Sequence, residues 1–335
     1  MDLCVIEGDG IGHEVVPAAL RVLQVLLPDL NICWAEAGFD YHQKHGTPLP
    51  QESIDEALRC RAVLFGAADS PSYPVEGYFS PIIALRRILN TYANLRPSRY
   101  LPVATARPGV DLIVVRENTE DLYVVDEHTD ADDQTSTAQK VVTRSATEHI
   151  SRLAFQLAES AGREQVTIVH KANILPQSDG LFRRVALEVA AEYPDIRTDE
   201  LLVDTAAYWM VKEPSRFDVI LTSNLYGDIL SDMAAAWGGG LGLAPALNLG
   251  NDAAIAEPVH GSAPDIAGKG IANPTATILS VALLLRHHWE MPELADRLEE
   301  AVRYTLEEGV HTFDIFTEGA LNTEEFADRI IARLT

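Results

Sequence analysis

Two aspartates, Asp228 and Asp232, stand four residues apart in Asn224-Leu225-Tyr226-Gly227-Asp228-Ile229-Leu230-Ser231-Asp232. Residues Phe217 to Thr222 before them read as a buried strand, and the chain from Asp228 onward reads as a helix, so both carboxylates fall on one helical face. Such a face can grip a hard cation. Ligands that are all oxygen suit Mg²⁺ or Mn²⁺, which keep open positions for water and an anionic substrate. Alone, the pair describes equally well a helix N-cap and a solvated carboxylate, so the residues around it decide.

Three arginines, Arg86, Arg96 and Arg116, each stand at the margin of an element. A guanidinium fork matches a carboxylate, so three in one cleft would imply a di- or tricarboxylic acid, whereas three apart would be surface ion pairs. Lys171 directly follows the apolar run Gln165 to His170, where burial can lower a lysine's pKa and let it act as a base.

The elements that must position these groups alternate between strand and helix, an α/β pattern. Leu3 to Ile6 reads as a strand, followed by Glu7-Gly8-Asp9-Gly10-Ile11-Gly12 and an amphipathic helix from Val15 to Leu27. The glycine spacing is not the dinucleotide fingerprint, and a tight turn serving backbone packing explains it as well. Ala62 to Ala67 is a strand that runs into Ala68-Asp69-Ser70-Pro71, and Pro81 opens a helix carrying Arg86. Asp111 to Asn118, Gln165 to His170 and Leu201 to Val203 are further strands, the last delivering Asp204, and Thr147 to Ser160 is a helix. The acidic segment Asp126 to Gln139 reads as a solvated hairpin or arm. Glu257 to Pro274 is the longest stretch without strand or helix pattern, which marks a functional loop. Thr275 to His287 reads as a buried helix, and two amphipathic helices follow from Pro292.

A chain of 335 residues with a net charge of −24 is acidic throughout, which opposes binding to nucleic acid. No stretch approaches the roughly 18 consecutive apolar residues of a membrane span, and Met1-Asp2-Leu3-Cys4 opens a strand rather than a signal peptide, so a cytoplasmic protein is expected. Cys4, Cys33 and Cys60 are odd in number and lack the paired spacing of zinc ligands, so neither a disulfide framework nor a zinc site is expected; they read as core or near-core thiols.

Taken together, Gly8-Asp9-Gly10-Ile11-Gly12, Tyr92-Ala93-Asn94-Leu95-Arg96-Pro97, Arg116-Glu117-Asn118-Thr119-Glu120, His170-Lys171-Ala172-Asn173, Gly227 to Asp232 and Glu257 to Pro274 resemble the β-decarboxylating dehydrogenases, nearly end to end and in one order. That resemblance implies an isopropylmalate dehydrogenase-like two-domain fold with a large central mixed sheet flanked by helices. Residues 1–99 and 251–335 would form a larger, cofactor-binding domain, and 100–250 a smaller domain with the dimer interface and arm. Homodimers, or higher homo-oligomers, would share active sites.

By the same resemblance, Arg86, Arg96 and Arg116 hold the malate moiety, with Ser70 and Asn173 also at the substrate, while Asp228, Asp232 and the partner's Asp204 bind Mg²⁺ or Mn²⁺. Lys171 from the partner removes the hydroxyl proton and Tyr123 protonates the enolate left by decarboxylation. His260, Gly261, Ser262, Ala263, Asp265 and Asn273 hold the cofactor. A carboxylate at Asp265 suits the ribose hydroxyls of NAD and repels a 2′-phosphate.

For substrate, Ser80-Pro81-Ile82-Ile83-Ala84-Leu85-Arg86 and Gly66 to Pro71 look most like homoisocitrate dehydrogenases, which implies oxidation of homoisocitrate to 2-oxoadipate in lysine synthesis through aminoadipate. Ile83 stands where many bacterial homoisocitrate enzymes carry an arginine, and an aliphatic Ile82/Ile83 face would also accept an isopropyl group. 3-Isopropylmalate is therefore the runner-up and isocitrate third. Asp121, where relatives often have Gly, and Trp209, where many have Gln or Arg, are departures near the site. A catalytically silent regulatory subunit is the non-enzymatic alternative, opposed by the presence of Tyr123, Lys171 and all three aspartates.

Overall fold

The computed structural model describes residues 1–335. Its strands are β1 (Asp2–Gly8), β2 (Asn31–Trp34), β3 (Ala62–Ala67), β4 (Ala93–Arg99), β5 (Asp111–Glu117), β6 (Glu127–Thr129), β7 (Ser136–Ala138), β8 (Gln165–His170), β9 (Arg197–Leu202), β10 (Val219–Thr222), β11 (Pro245–Leu249) and β12 (Ala254–Pro258). The helices are α1 (Gly12–Leu26), α2 (Phe39–His45), α3 (Gln51–Cys60), α4 (Pro81–Ile88), α5 (Arg144–Ser160), α6 (Ser178–Ala190), α7 (Val203–Lys212), α8 (Asn224–Gly238), α9 (Thr275–His287), α10 (Pro292–Glu307) and α11 (Thr323–Leu334).

Two compact units result, Met1–Thr91 with Tyr100–Pro108 and Ala235–Thr335, and Tyr92–Arg99 with Gly109–Ala234. The expected boundaries at 99/100 and 250/251 therefore shift. β4 pairs along its whole length with β5 and so goes with the second unit, and β11 pairs with β12 and goes with the first.

In the first unit the strands run β2-β1-β3-β12-β11, parallel except for the final antiparallel pair. All six residues of β3 are buried, as expected of a parallel strand covered on both faces. α9 packs against β11, β12, α1 and α10, and its residues 275–285 are all buried, so it is covered on every side rather than on one stripe. The glycine turn after β1 is a packing device. A Cβ on Gly8 would lie 1.8 Å from the Ala67 carbonyl oxygen, and Ile11 N donates to the Ser262 carbonyl at 2.8 Å. Inside this turn the buried Asp9 carboxylate accepts from the backbone N–H groups of Phe39, Asp40 and Asp69, at 2.8, 2.9 and 2.8 Å.

The second unit orders its strands β4-β5-β10-β8-β9, with only the β4–β5 pair antiparallel. Helices α5 and α6 cover β8, and α5 also packs on β5 and β10. β6 and β7 form an exposed two-stranded hairpin within the acidic segment. Two readings need correction. α8 begins at Asn224, which puts Asp228 in its second turn and not at the N-cap, and Glu257 and Pro258 belong to β12, leaving 259–274 as the long loop.

A buried ion network ties this unit together. Lys140 lies 2.8 Å from Asp179 and 3.4 Å from Asp121, and the two carboxylates are 2% and 1% exposed. Burial pulls the Lys140 pKa down, but Asp179 and Asp121 more than offset this and the net shift is upward. Asp121 takes a φ of 72° and a ψ of −146°, a region that favours glycine. Its carboxylate accepts from Leu122 N at 2.9 Å and from Leu225 N at 3.1 Å, so those bonds and Lys140 offset the backbone strain.

Lys140→Met should cost about 3–5 kcal/mol, because two buried carboxylates lose their cation. The urea midpoint measures it. Asp328→Asn, at a solvent-exposed pair with Arg21, is the control expected to change little.

Candidate active site

Five polar or small residues of α8, Asn224, Gly227, Asp228, Ser231 and Asp232, are spaced three, one, three and one apart, and so form one stripe along the helix. Two arginines from neighbouring strands lie on that stripe. Arg116, at the end of β5 and 1% exposed, donates from Nε to Asn224 Oδ1 at 2.9 Å and pairs through Nη1 with Asp228. Gly227 gives it room, since a Cβ there would lie 2.6 Å from Arg116 Cγ. Arg96, on β4, donates from Nη1 to Ser231 Oγ at 2.8 Å, with Asp232 and Asp228 carboxylate oxygens at 3.3 and 3.4 Å. Its Nε is held by Asn94 Oδ1 at 2.8 Å.

Tyr123 completes the cluster. Its hydroxyl donates to Asp228 Oδ2 at 2.8 Å, and the Arg116 guanidinium stacks 4.9 Å from its ring. Burial, with a contribution from Asp228, raises the phenol pKa, while burial also raises that of Asp232 above the usual carboxylate range. Both aspartates remain open to solvent, at 39% and 55% side-chain exposure, so a cation can reach them. A hard divalent cation fits this donor set of oxygens one helical turn apart. The structure thus brings together Arg96, Arg116, Tyr123, Asp228 and Asp232.

Lys171 and Asp204 form a separate pair. Lys171 follows β8 and binds Asp204, in the first turn of α7, through Nζ, which holds the Asp204 carboxyl below its ordinary range. Within one chain Lys171 therefore meets a carboxylate rather than an apolar wall. Asp204 does not lie with Asp228 and Asp232 in one donor cluster. The Lys171 main chain is fixed, because its N–H donates to Asp179 Oδ2 at 2.7 Å and Ala172 N donates to His170 Nδ1 at 3.2 Å. Asn173 beside them is exposed.

The remaining candidates lie in the first unit. Arg86 on α4 is buried and paired with Glu257, whose Oε1 also accepts from Asn248 at 2.9 Å, while Arg86 Nε has no partner. On the same helix Ile82 and Ile83 are both half-buried, Ile82 packing against the core around Leu85 and Phe65. Ser70 is exposed.

In the 259–274 loop, Ser262 Oγ binds Asp69, and burial lowers the His260 pKa, keeping the ring neutral. His260 Nδ1 is 3.0 Å from the Gly261 carbonyl and its buried Nε2 is unpartnered, an atom placed to meet a ligand. Ala263 has a φ of 42°. Asn273 is committed within the loop, its Oδ1 accepting from Thr275 N at 3.0 Å and its Nδ2 donating to Asp314 at 3.1 Å. Asp265 is exposed, and Lys269 Nζ binds its main-chain carbonyl and not its carboxylate. A dinucleotide fits such a loop, with a neutral imidazole and an accessible carboxylate.

Several partners escaped the sequence reading. Asn224 and Ser231 were legible from the helical spacing of the stripe, but Asn94, Lys140, Glu257 and Asp314 become partners only through contacts remote in sequence.

Comparison with known proteins agrees with this geometry. The family described as isocitrate/isopropylmalate dehydrogenase matches residues 2–330. An isocitrate/homoisocitrate dehydrogenase of Thermus thermophilus is 50% identical over 332 residues, covering 99% of this chain and 98% of that protein. A 3-isopropylmalate/3-methylmalate dehydrogenase of Methanocaldococcus jannaschii is 48% identical, covering 99% and 98%. The crystal structure of isocitrate dehydrogenase from Methylococcus capsulatus is 44% identical and superposes with a TM-score of 0.96, covering 99% of each chain. With whole-length relatives of this kind and the mixed α/β architecture they share, the chain belongs to the isocitrate/isopropylmalate dehydrogenase family of NAD(P)-dependent, oxidatively decarboxylating dehydrogenases.

Proposed function

We propose that this enzyme oxidises and decarboxylates homoisocitrate to 2-oxoadipate with NAD and Mg²⁺ or Mn²⁺. The observation that carries the reaction class is the α8 stripe, where two buried arginines, two accessible aspartates and a phenol meet. When bound, the cation supplies Lewis acidity to a 2-hydroxy acid and the dinucleotide accepts hydride.

The chain's own groups supply binding and proton movement. Arg86, Arg96 and Arg116 take the carboxylate-binding role, since their N–H forks match planar anions. The partner subunit's Lys171 removes the proton of the 2-hydroxyl as hydride leaves C2, giving the 2-keto acid. Loss of CO₂ from C3 leaves its electron pair as an enolate, and Tyr123 protonates C3. A phenol kept protonated by burial beside Asp228 suits that last step. Asp204 contributes the third carboxylate from the partner subunit, which accords with its pairing to Lys171 and its absence from the Asp228 and Asp232 cluster within one chain.

Two features support NAD and homoisocitrate. The exposed Asp265 carboxylate can accept from both ribose hydroxyls and opposes a 2′-phosphate. The Thermus relative is named for isocitrate and homoisocitrate, and homoisocitrate oxidation would set the enzyme in lysine synthesis through aminoadipate. The half-buried Ile83 favours 3-isopropylmalate as the second reading. Three free cysteines, and no helix long and apolar enough to cross a membrane, support a cytoplasmic setting.

Specificity constants for homoisocitrate, 3-isopropylmalate and isocitrate, each with NAD and NADP under Mg²⁺, should be highest for homoisocitrate with NAD. A lead for isopropylmalate would reject the substrate assignment and make Ile83 a hydrophobic wall; no reduced cofactor from any of the three would move the search to tartrate-like acids.

Tyr123→Phe should lower kcat by about 10²- to 10⁴-fold while leaving Mn²⁺ affinity within a few-fold, as loss of a proton donor requires. Asp228→Asn should weaken Mn²⁺ binding itself. Equal loss of metal affinity in both would reject the proton-donor role.

A further inference from the structure

Away from the α8 stripe, the chain's three cysteines approach one another at an edge of the first unit. β1 and β2 pair in parallel with Cys4 opposite Cys33, and α3 packs on β1 and ends at Cys60. Cys4 is buried, whereas Cys33 and Cys60 are half-buried and reduced. Glu56 and Cys60 stand one helical turn apart on α3, and the donor atoms of Cys33, Glu56 and Cys60 all lie within 4.8 Å of one another. None of them serves the chemistry proposed above.

A cationic nitrogen already marks the centre of this group. Arg59 Nη2 donates to Cys33 Sγ at 2.7 Å and to Cys60 Sγ at 3.5 Å, and it also binds Glu56. One positively charged atom thus meets all three donors, so the locus favours positive charge. Its holder can leave, because the Arg59 side chain is about half exposed at 48% and its Nη1 is bound to Asp2 at the surface, at 2.6 Å. A guanidinium that swings outward keeps a carboxylate partner and vacates the position between the sulfurs.

We propose that Cys33, Glu56 and Cys60 form a binding site for a borderline-soft divalent cation, Zn²⁺ by its donor set. Two sulfurs and a carboxylate oxygen supply three ligands and leave a fourth, tetrahedral position for water. Sulfur donors discriminate against Mg²⁺, so this site and the all-oxygen aspartate pair select different ions. Binding balances as one cation taken up and the two thiol protons released to solvent. The spacing of the cysteines in the chain hides the site, since Cys33 comes from a strand and Cys60 from a helix 27 residues on (60 − 33).

Co²⁺ is the probe, titrated into the full-length enzyme under a non-thiol reductant with Mg²⁺ in excess to occupy the oxygen site. One equivalent should bind with thiolate-to-cobalt charge-transfer absorption and be displaced by Zn²⁺. Cys33→Ser and Cys60→Ser should each lose that absorption, and Arg59→Gln, at an exposed position that leaves the fold intact, should lower the half-saturating Co²⁺ concentration several-fold by removing the competing cation. The site is refuted by a wild-type chain without the absorption, by unchanged absorption in the cysteine variants, or by weaker binding in Arg59→Gln. A wild-type chain that loses two hydrogens on exposure to air and takes up no Co²⁺ is a disulfide pair and equally refutes it.

Discussion

Burying the Arg116 charge constrains the candidate site more than any other interaction. A guanidinium at 1% exposure costs several kcal/mol unless each face of it is met, and here the Asn224 amide oxygen, the Asp228 carboxylate and the Tyr123 ring meet it. The requirement acts on sequence residue by residue. Position 224 must offer an acceptor, 227 must lack a Cβ, and 228 must be anionic, which accounts for Asn, Gly and Asp standing where they do on α8. Asp228 is therefore held by Arg116, Arg96 and the Tyr123 hydroxyl while its side chain stays 39% exposed, the condition under which a carboxylate is oriented before a cation arrives.

The rest of the second unit braces that arrangement. Asp121 caps the start of α8 through Leu225 N and anchors the turn carrying Tyr123, while Asp179 holds the main chain of Lys171. Lys140 joins the two carboxylates, so the segments bearing Tyr123 and Lys171 rest on one buried cation. A glycine at 121 would relieve the backbone strain but would give up the cap and the partner of Lys140. The strained backbone at Asp121 is thus compensated locally by its side-chain partners.

In the first unit the same economy appears with backbone groups. Three N–H donors converge on the Asp9 carboxylate, and the glycine turn around it approaches the Ala67 and Ser262 carbonyls too closely for any side chain. The glycine turn after β1 is thus filled by protein, as a packing turn requires. The 259–274 loop is held against it through Ile11 N and through the Ser262 hydroxyl on Asp69.

What the sequence by itself determined was whatever repeats locally. Apolar runs gave β3 and β8 at their observed limits, the largely apolar stretch Thr275 to His287 gave α9, and the spacing of Asp228 and Asp232 put them on one face before any contact was known. Motif order was enough to identify the family. Short or largely exposed elements such as β2, α2 and α7 were passed over, and strand pairing decided the unit boundaries. Only the tertiary structure could decide which charge meets which. Arg86 went to Glu257, 171 residues away, and Lys140 to Asp121 and Asp179, while three cysteines without any ligand-like spacing came together. Coulomb and desolvation energies depend on distance in space and on the water removed, and neither is a function of position along the chain.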